Sequence, residues 1–158
     1  MELDATDLRL LDALQADASL SNQDLAARVA VSPATCLRRT KRLEEAGVIR
    51  RRVALLDGEQ LGPRLNALLE ITLDRQGDEH LQAFEARAVA EAQVRQCWRV
   101  SPGPDFVLVV EVADMAGYQA LSQRLLTQDA NVRNIKAFFS VKQAKFETRL
   151  DLPAAQAL

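Results

Sequence analysis

The chain has 158 residues, 48% of them hydrophobic and 27% charged, with a net charge of −2 and two cysteines. That length suggests one or two small domains with real cores. No apolar run approaches the ~20 residues needed to cross a bilayer, and the acidic start does not read as a signal peptide, so a cytoplasmic protein without membrane attachment is expected. Cys36 and Cys97 lie far apart and fit no metal-ligand spacing, so reduced core thiols are expected, with no metal and no cofactor.

A first short helix opens the chain. Asp4 caps it, Asp7 three residues on completes the reciprocal cap, and Leu3 and Leu8 staple the start. Leu8, Leu10, Leu11 and Leu14 form its apolar face. A second short helix follows from about Ser21 to Val31, with Ser21 as cap, Asp24 as the reciprocal partner, and Leu25, Ala26 and Val29 inward. The small Ala26 permits close approach of a third helix, and the turn of about Ala30-Val31-Ser32 is tight.

The third helix carries most of the functional signal. Ser32 is its N-cap, Pro33 suits the first helical position, and Gly47 closes it with a left-handed residue. Helical spacing turns Cys36, Leu37, Thr40 and Leu43 toward the protein and leaves Arg38, Arg39, Lys41 and Arg42 for solvent or phosphate. Two short capped helices with a tight turn have the form of a helix-turn-helix whose second helix enters a major groove. An isolated basic helix is also consistent with a merely solvated face. The charge distribution favours DNA. Between Arg28 and Arg52 there are eight cations against two acids, a local +6 on a chain that is acidic overall. Ser32, Pro33, Thr35, Arg38, Arg39 and Arg42 are therefore the expected double-stranded DNA contacts. Arg50 and Arg51 join them if the extended Arg50–Asp57 segment lies along the backbone as a wing-like strand; a solvated linker strand is the alternative.

Asp57-Gly58 and Gly62-Pro63 mark a boundary. Beyond it, Leu65, Ala67, Leu69, Ile71 and Leu73 alternate as a half-buried strand. A helix over Asp78–Ala92 follows, with Leu81, Phe84, Ala88 and Val89 inward. Then come a strand Val94–Val100, a Ser101-Pro102-Gly103-Pro104 turn, a strand Phe106–Val112, a helix capped by Asp114 that runs to about Thr127, and a long strand Ile135–Phe146. The order β-α-β-β-α-β is the ferredoxin-like arrangement. Leu68, Val107 or Val109, and Phe138 are expected on the sheet face that the helices leave open, which suggests a homodimer joined through its sheets. Trp98 is expected in the core, with a place in a pocket wall beside the Ser101–Pro104 turn as the alternative. The expected domains are a helix-turn-helix head 1–50, a linker 51–64, a ferredoxin-like effector and oligomerisation domain 65–150, and a tail 151–158.

These motifs together resemble the Lrp/AsnC, or feast/famine, family of transcription regulators. The likeness runs from Leu3-Asp4-x-x-Asp7-x-x-Leu10-Leu11 through Ser32-Pro33-x-x-Cys36-Leu37-x-Arg39 and Arg42-Leu43-Glu44-x-x-Gly47-Val48-Ile49 to Ala54-Leu55-Leu56-Asp57 and Leu61-Gly62. It implies an α+β chain: a winged-type helix-turn-helix head and a ligand-responsive βαββαβ domain. It also implies dimers that assemble further, commonly to octamers, and small effectors, often amino acids, bound where dimers meet. The family's Thr-Gly-x-x-Asp effector loop corresponds here to Ser101-Pro102-Gly103-Pro104-Asp105. Ser101, Gly103 and Asp105 are the effector-binding candidates, with Pro102 removing an N–H at the glycine place. A plain turn in which Asp105 satisfies local backbone donors is the alternative. No catalytic constellation is visible, and His80, the only histidine, falls on an expected surface helix. The competing function is an effector-sensing ferredoxin-like module, or a small-molecule enzyme, without specific DNA binding.

Overall fold

A computed structural model of the chain describes residues Glu2–Pro153, apart from the Glu59 side chain. Residues 154–158 of the expected tail lie outside the described residues. The chain divides into two compact units. One takes the residues through Leu56 together with the segment from Lys145 on; the other is Asp57–Ala144.

The first unit holds three helices, α1 (Ala5–Ala16), α2 (Asn22–Arg28) and α3 (Pro33–Glu45). Their ends form where the sequence places caps. The Asp4 carboxylate accepts from the Thr6 and Asp7 amides, and the Asp7 carboxylate accepts from the Asp4 amide, which completes the reciprocal cap. At Ser21 the cap is simpler than expected. Its hydroxyl accepts from the Asp24 amide, but the Asp24 carboxylate takes the Ser21 hydroxyl rather than the Ser21 amide. Helices α2 and α3 end in the same motif. In α2 the amides of Ala30 and Val31 donate to the carbonyls of Ala27 and Ala26, and in α3 those of Gly47 and Val48 donate to Glu44 and Leu43. Both motifs need a left-handed residue: Gly47 sits at φ +71° and Ala30 at φ +57°. Leu10, Leu11, Leu14, Leu25, Ala26, Val29, Cys36 and Leu43 form the core.

The second unit is a four-stranded antiparallel sheet in the order β2-β3-β1-β4. Its strands are β1 (Leu65–Leu73), β2 (Val94–Arg99), β3 (Phe106–Val112) and β4 (Val132–Phe139). Helices α4 (Asp78–Ala90) and α5 (Met115–Ser122) cross between them. Alternation along β1 and β3 sends Ala67, Leu69, Ile71 and Leu73, and Phe106, Leu108, Val110 and Val112, into one core with Phe84, Ala88 and Leu121. Helix α5 passes into a π-helical turn, Gln123–Thr127, whose wider winding lets Leu125 and Leu126 both face inward.

Several sequence expectations need correction. Strand β4 begins earlier and stops at Phe139, not Phe146, because Ser140 makes the last ladder bond to Asn66 near the start of β1 and no partner strand extends further. Residues 145–153 instead lie on the first unit. There Arg149 pairs with Asp12 at 2.6 Å, Gln15 exchanges hydrogen bonds with the Leu150 backbone, and Leu152 packs on the core. The Arg50–Asp57 segment forms no strand, and Val53, Leu55 and Leu56 are exposed. A 3-10 turn, Gly58–Leu61, follows it. Val89 is exposed on α4 rather than inward. Trp98 is 58% exposed, not core, because it pairs with Val107 on the face away from the helices and β2 is an edge strand. Cys36 is buried as expected, whereas Cys97 is half-buried, and desolvation, followed by the nearby Glu85 charge, raises its thiol pKa.

Candidate functional site

Helix α3 is held by a cluster of charges inside the first unit. Asp7 lies on the same stripe of α1 as Leu10, Leu11 and Leu14, and its carboxylate is fully buried. A buried carboxylate needs cations. Arg39 donates to Asp7 at 2.9 Å and to Asp4 at 2.6 Å, and Arg42 donates to the other Asp7 oxygen. The Arg39 guanidinium, hydrogen-bonded to Asp4, draws the Asp4 pKa from 3.8 down to about 2. The Nε atoms of Arg39 and Arg42 and the Thr40 hydroxyl are buried without a hydrogen-bond partner among the described residues. The cluster thus carries a desolvation cost beside its gain, and what it fixes most clearly is the orientation of α3 against α1.

This arrangement corrects the expectation that all four cations of α3 are left for solvent or phosphate. Arg39 retains 20% side-chain exposure and is committed to two carboxylates; Arg42 is half-exposed and committed to one. Arg38 and Lys41 point outward. Leu37, expected to face the protein, is 61% exposed. Ala34, Leu37, Arg38 and Lys41 therefore share one outward stripe at helical spacing. Lys41 pairs only loosely with Glu45, at 3.7 Å and largely in solvent.

At the start of α3, Ser32 is exposed and its oxygen accepts from the Thr35 amide at 3.2 Å while its hydroxyl donates to the Thr35 hydroxyl at 2.9 Å. Pro33 occupies the first helical position. Arg50 and Arg51 are exposed in a segment without regular structure, and Arg52 pairs with Glu44 at 2.9 Å. The stripe was not legible as a whole in the sequence. The missed signal is Asp7, whose place among the inward leucines of α1 demands buried cations that only α3 supplies.

In the second unit, Ser101 and Gly103 are exposed, and Gly103 adopts φ +125° with open space beside it. Asp105 behaves differently. Its carboxylate accepts from the Leu73 amide at 2.7 Å and from the Gln76 side chain at 3.3 Å, and its own amide donates to Ile71 at 2.8 Å. It fixes the loop to the end of β1. The sheet face away from the helices carries Leu68, Phe138 and Trp98 exposed, with Val107 and Val109 half-buried between them. Among the described residues no cluster of His, Cys, Asp and Glu could hold a metal, and no helix is long and apolar enough to cross a membrane.

Residues 3–50 match the winged helix-turn-helix DNA-binding family, and residues 66–150 match the Lrp/AsnC ligand binding domain. The chain is 38% identical to the leucine-responsive regulatory protein of Rhizobium meliloti, over 96% of this chain and 97% of that protein. It is 39% identical to the Bkd operon transcriptional regulator of Pseudomonas aeruginosa, over 89% and 92%. Among solved structures it is similar to an AsnC family transcriptional regulator from Agrobacterium tumefaciens, with TM-score 0.86, 34% identity and coverage of 94% and 97%. It is also similar to a Neisseria meningitidis transcriptional regulator solved as an L-Met complex, with TM-score 0.85, 31% identity and coverage of 95% and 97%. Head, sheet and relatives agree along the length of the chain, which belongs to the Lrp/AsnC family of transcriptional regulators, with a DNA-binding helix-turn-helix and a ligand-binding domain.

Proposed function

We propose that the protein is a sequence-specific operator-binding regulator whose affinity is set by an amino acid effector. The observation that carries this reading is the outward stripe of α3, where Leu37, Arg38 and Lys41 stand clear of a head whose inner cations are already neutralised. Arg38 and Lys41 reach base edges and phosphates. Arg39 and Arg42 act as positioning residues through Asp7. The amides at the start of α3, beside Ser32, Pro33 and Thr35, receive a phosphate, and Arg50 and Arg51 follow the backbone beyond the helix.

The effector sits at the Ser101–Asp105 loop. Ser101 and Gly103 offer the exposed surface, and Asp105 holds the loop against β1. The ligand-binding domain matched here and the L-Met bound to a relative support an amino acid as ligand. The sheet face bearing Leu68, Phe138 and Trp98 joins two copies, which places two heads on two half-sites. Further assembly of dimers, to an octamer, brings the loops together. The protein works by binding rather than turnover, in the cytoplasm.

The test is capture of genomic DNA fragments by the full chain, followed by fluorescence anisotropy on the enriched duplex with and without each amino acid. The expected result is tighter binding than to bulk DNA and a shift with at least one amino acid. Binding no tighter than to bulk DNA would overturn the reading.

A further inference from the structure

We infer that Leu37 is a specificity-determining residue that reads the 5-methyl group of a thymine in the major groove. The inference rests on the proposal that α3 docks on DNA and deepens it. Helix α3 buries its other large apolar positions completely: Cys36 and Leu43 are 0% exposed. Leu37 is the exception, in the second turn of the helix, in the amino-terminal half that approaches base edges in this motif.

The residues around it narrow what it can meet. Ala34 stands one turn before it, and Arg38 and Lys41 flank the apolar pair. A cationic rim around a small apolar centre complements a polyanion that offers an apolar group, and the thymine methyl is the one such group on the floor of the major groove. At the helix start the Ser32 hydroxyl donates to the Thr35 hydroxyl and accepts from the Thr35 amide, so Ser32 is turned back onto the cap. Leu37 and Arg38 are therefore adjacent outward side chains long enough to reach bases, one apolar and one able to bond guanine in two places.

The test uses the full chain and the enriched duplex, with each thymine replaced in turn by deoxyuridine, which removes only the methyl group. Wild type should lose about fourfold in affinity at one thymine in each half-site, the worth of one buried methyl. Leu37→Ala should lose a similar factor on the thymine duplex and no further factor at that position on the deoxyuridine duplex, while its melting temperature stays at the wild-type value. The inference alone would be overturned by a wild type indifferent to every thymine methyl, or by Leu37→Ala and deoxyuridine losses that multiply at every position. A Leu37→Ala chain that sediments as a smaller assembly with its thymine discrimination intact would place the leucine against protein and contradict the inference too. Failure of the wild-type chain to prefer any duplex over bulk DNA would overturn both readings at once.

Discussion

The two edges of α3 carry the same kind of side chain and do different work. On the inner edge, Arg39 and Arg42 meet the buried Asp7 and the half-exposed Asp4. On the outer edge, Arg38 and Lys41 meet solvent or a weakly held glutamate. Cation count therefore overstates the charge a basic helix offers to a polyanion, because part of it is spent on setting the angle at which the remainder is presented.

The largest expected effect comes from breaking the inner edge. Asp7→Ala removes the shared partner of two guanidinium groups, leaving Arg39 to Asp4 alone and Arg42 unpaired but half-exposed, at a cost of up to about 3 kcal/mol to the first unit. Differential scanning calorimetry should show a transition of the first unit moving down while that of the sheet unit stays put; an unchanged melt would sink the positioning role. On the outer edge, Arg38→Ala should leave the melt alone and weaken operator binding by about 1–3 kcal/mol, read by anisotropy.

Smaller effects sharpen the same contrast. The shared motif that ends α2 and α3 uses Ala30 in one case and Gly47 in the other, both left-handed. An L-residue with a Cβ pays about 1–2 kcal/mol there. Ala30→Gly should therefore raise denaturant stability by about 1 kcal/mol and Gly47→Ala lower it by a similar amount; opposite signs would contradict the backbone assignment. The smallest effect belongs to Asp4. Its folded pKa is depressed to about 2 by Arg39, so its contribution is complete above the ordinary carboxylate pKa and is lost as the pH falls from about 4 through about 2. Half-exposed and solvent-screened, it is worth no more than about 1 kcal/mol. Asp4→Asn should flatten that part of the acid limb of a stability–pH curve.

What the sequence made legible follows what it encodes locally. The caps at Asp4, Ser21 and Ser32, the stop at Gly47, and the alternation of β1 and β3 are properties of neighbouring residues, and the structure keeps them. The partition of α3's cations was not legible, because it depends on Asp7, more than thirty residues away. Helical spacing alone also put Leu37 inside. A helix packed on two neighbours buries a narrow stripe, here Cys36, Thr40 and Leu43, and leaves the next position out. The end of β4 escaped for a similar reason. Val141 and Phe146 read as strand residues, but a strand lasts only as long as its partner.

The division of α3 into a holding edge and a reading edge is tested most directly by the slope of log affinity against log salt for wild type, Lys41→Gln and Arg39→Gln, measured below the melting temperature of each. The expected outcome is a slope reduced by about one counterion per docked head in Lys41→Gln, with the Arg39→Gln slope equal to wild type although its melting temperature falls. A slope reduced as much by Arg39→Gln as by Lys41→Gln would mean that the inner guanidinium reaches phosphate, and the division would be contradicted.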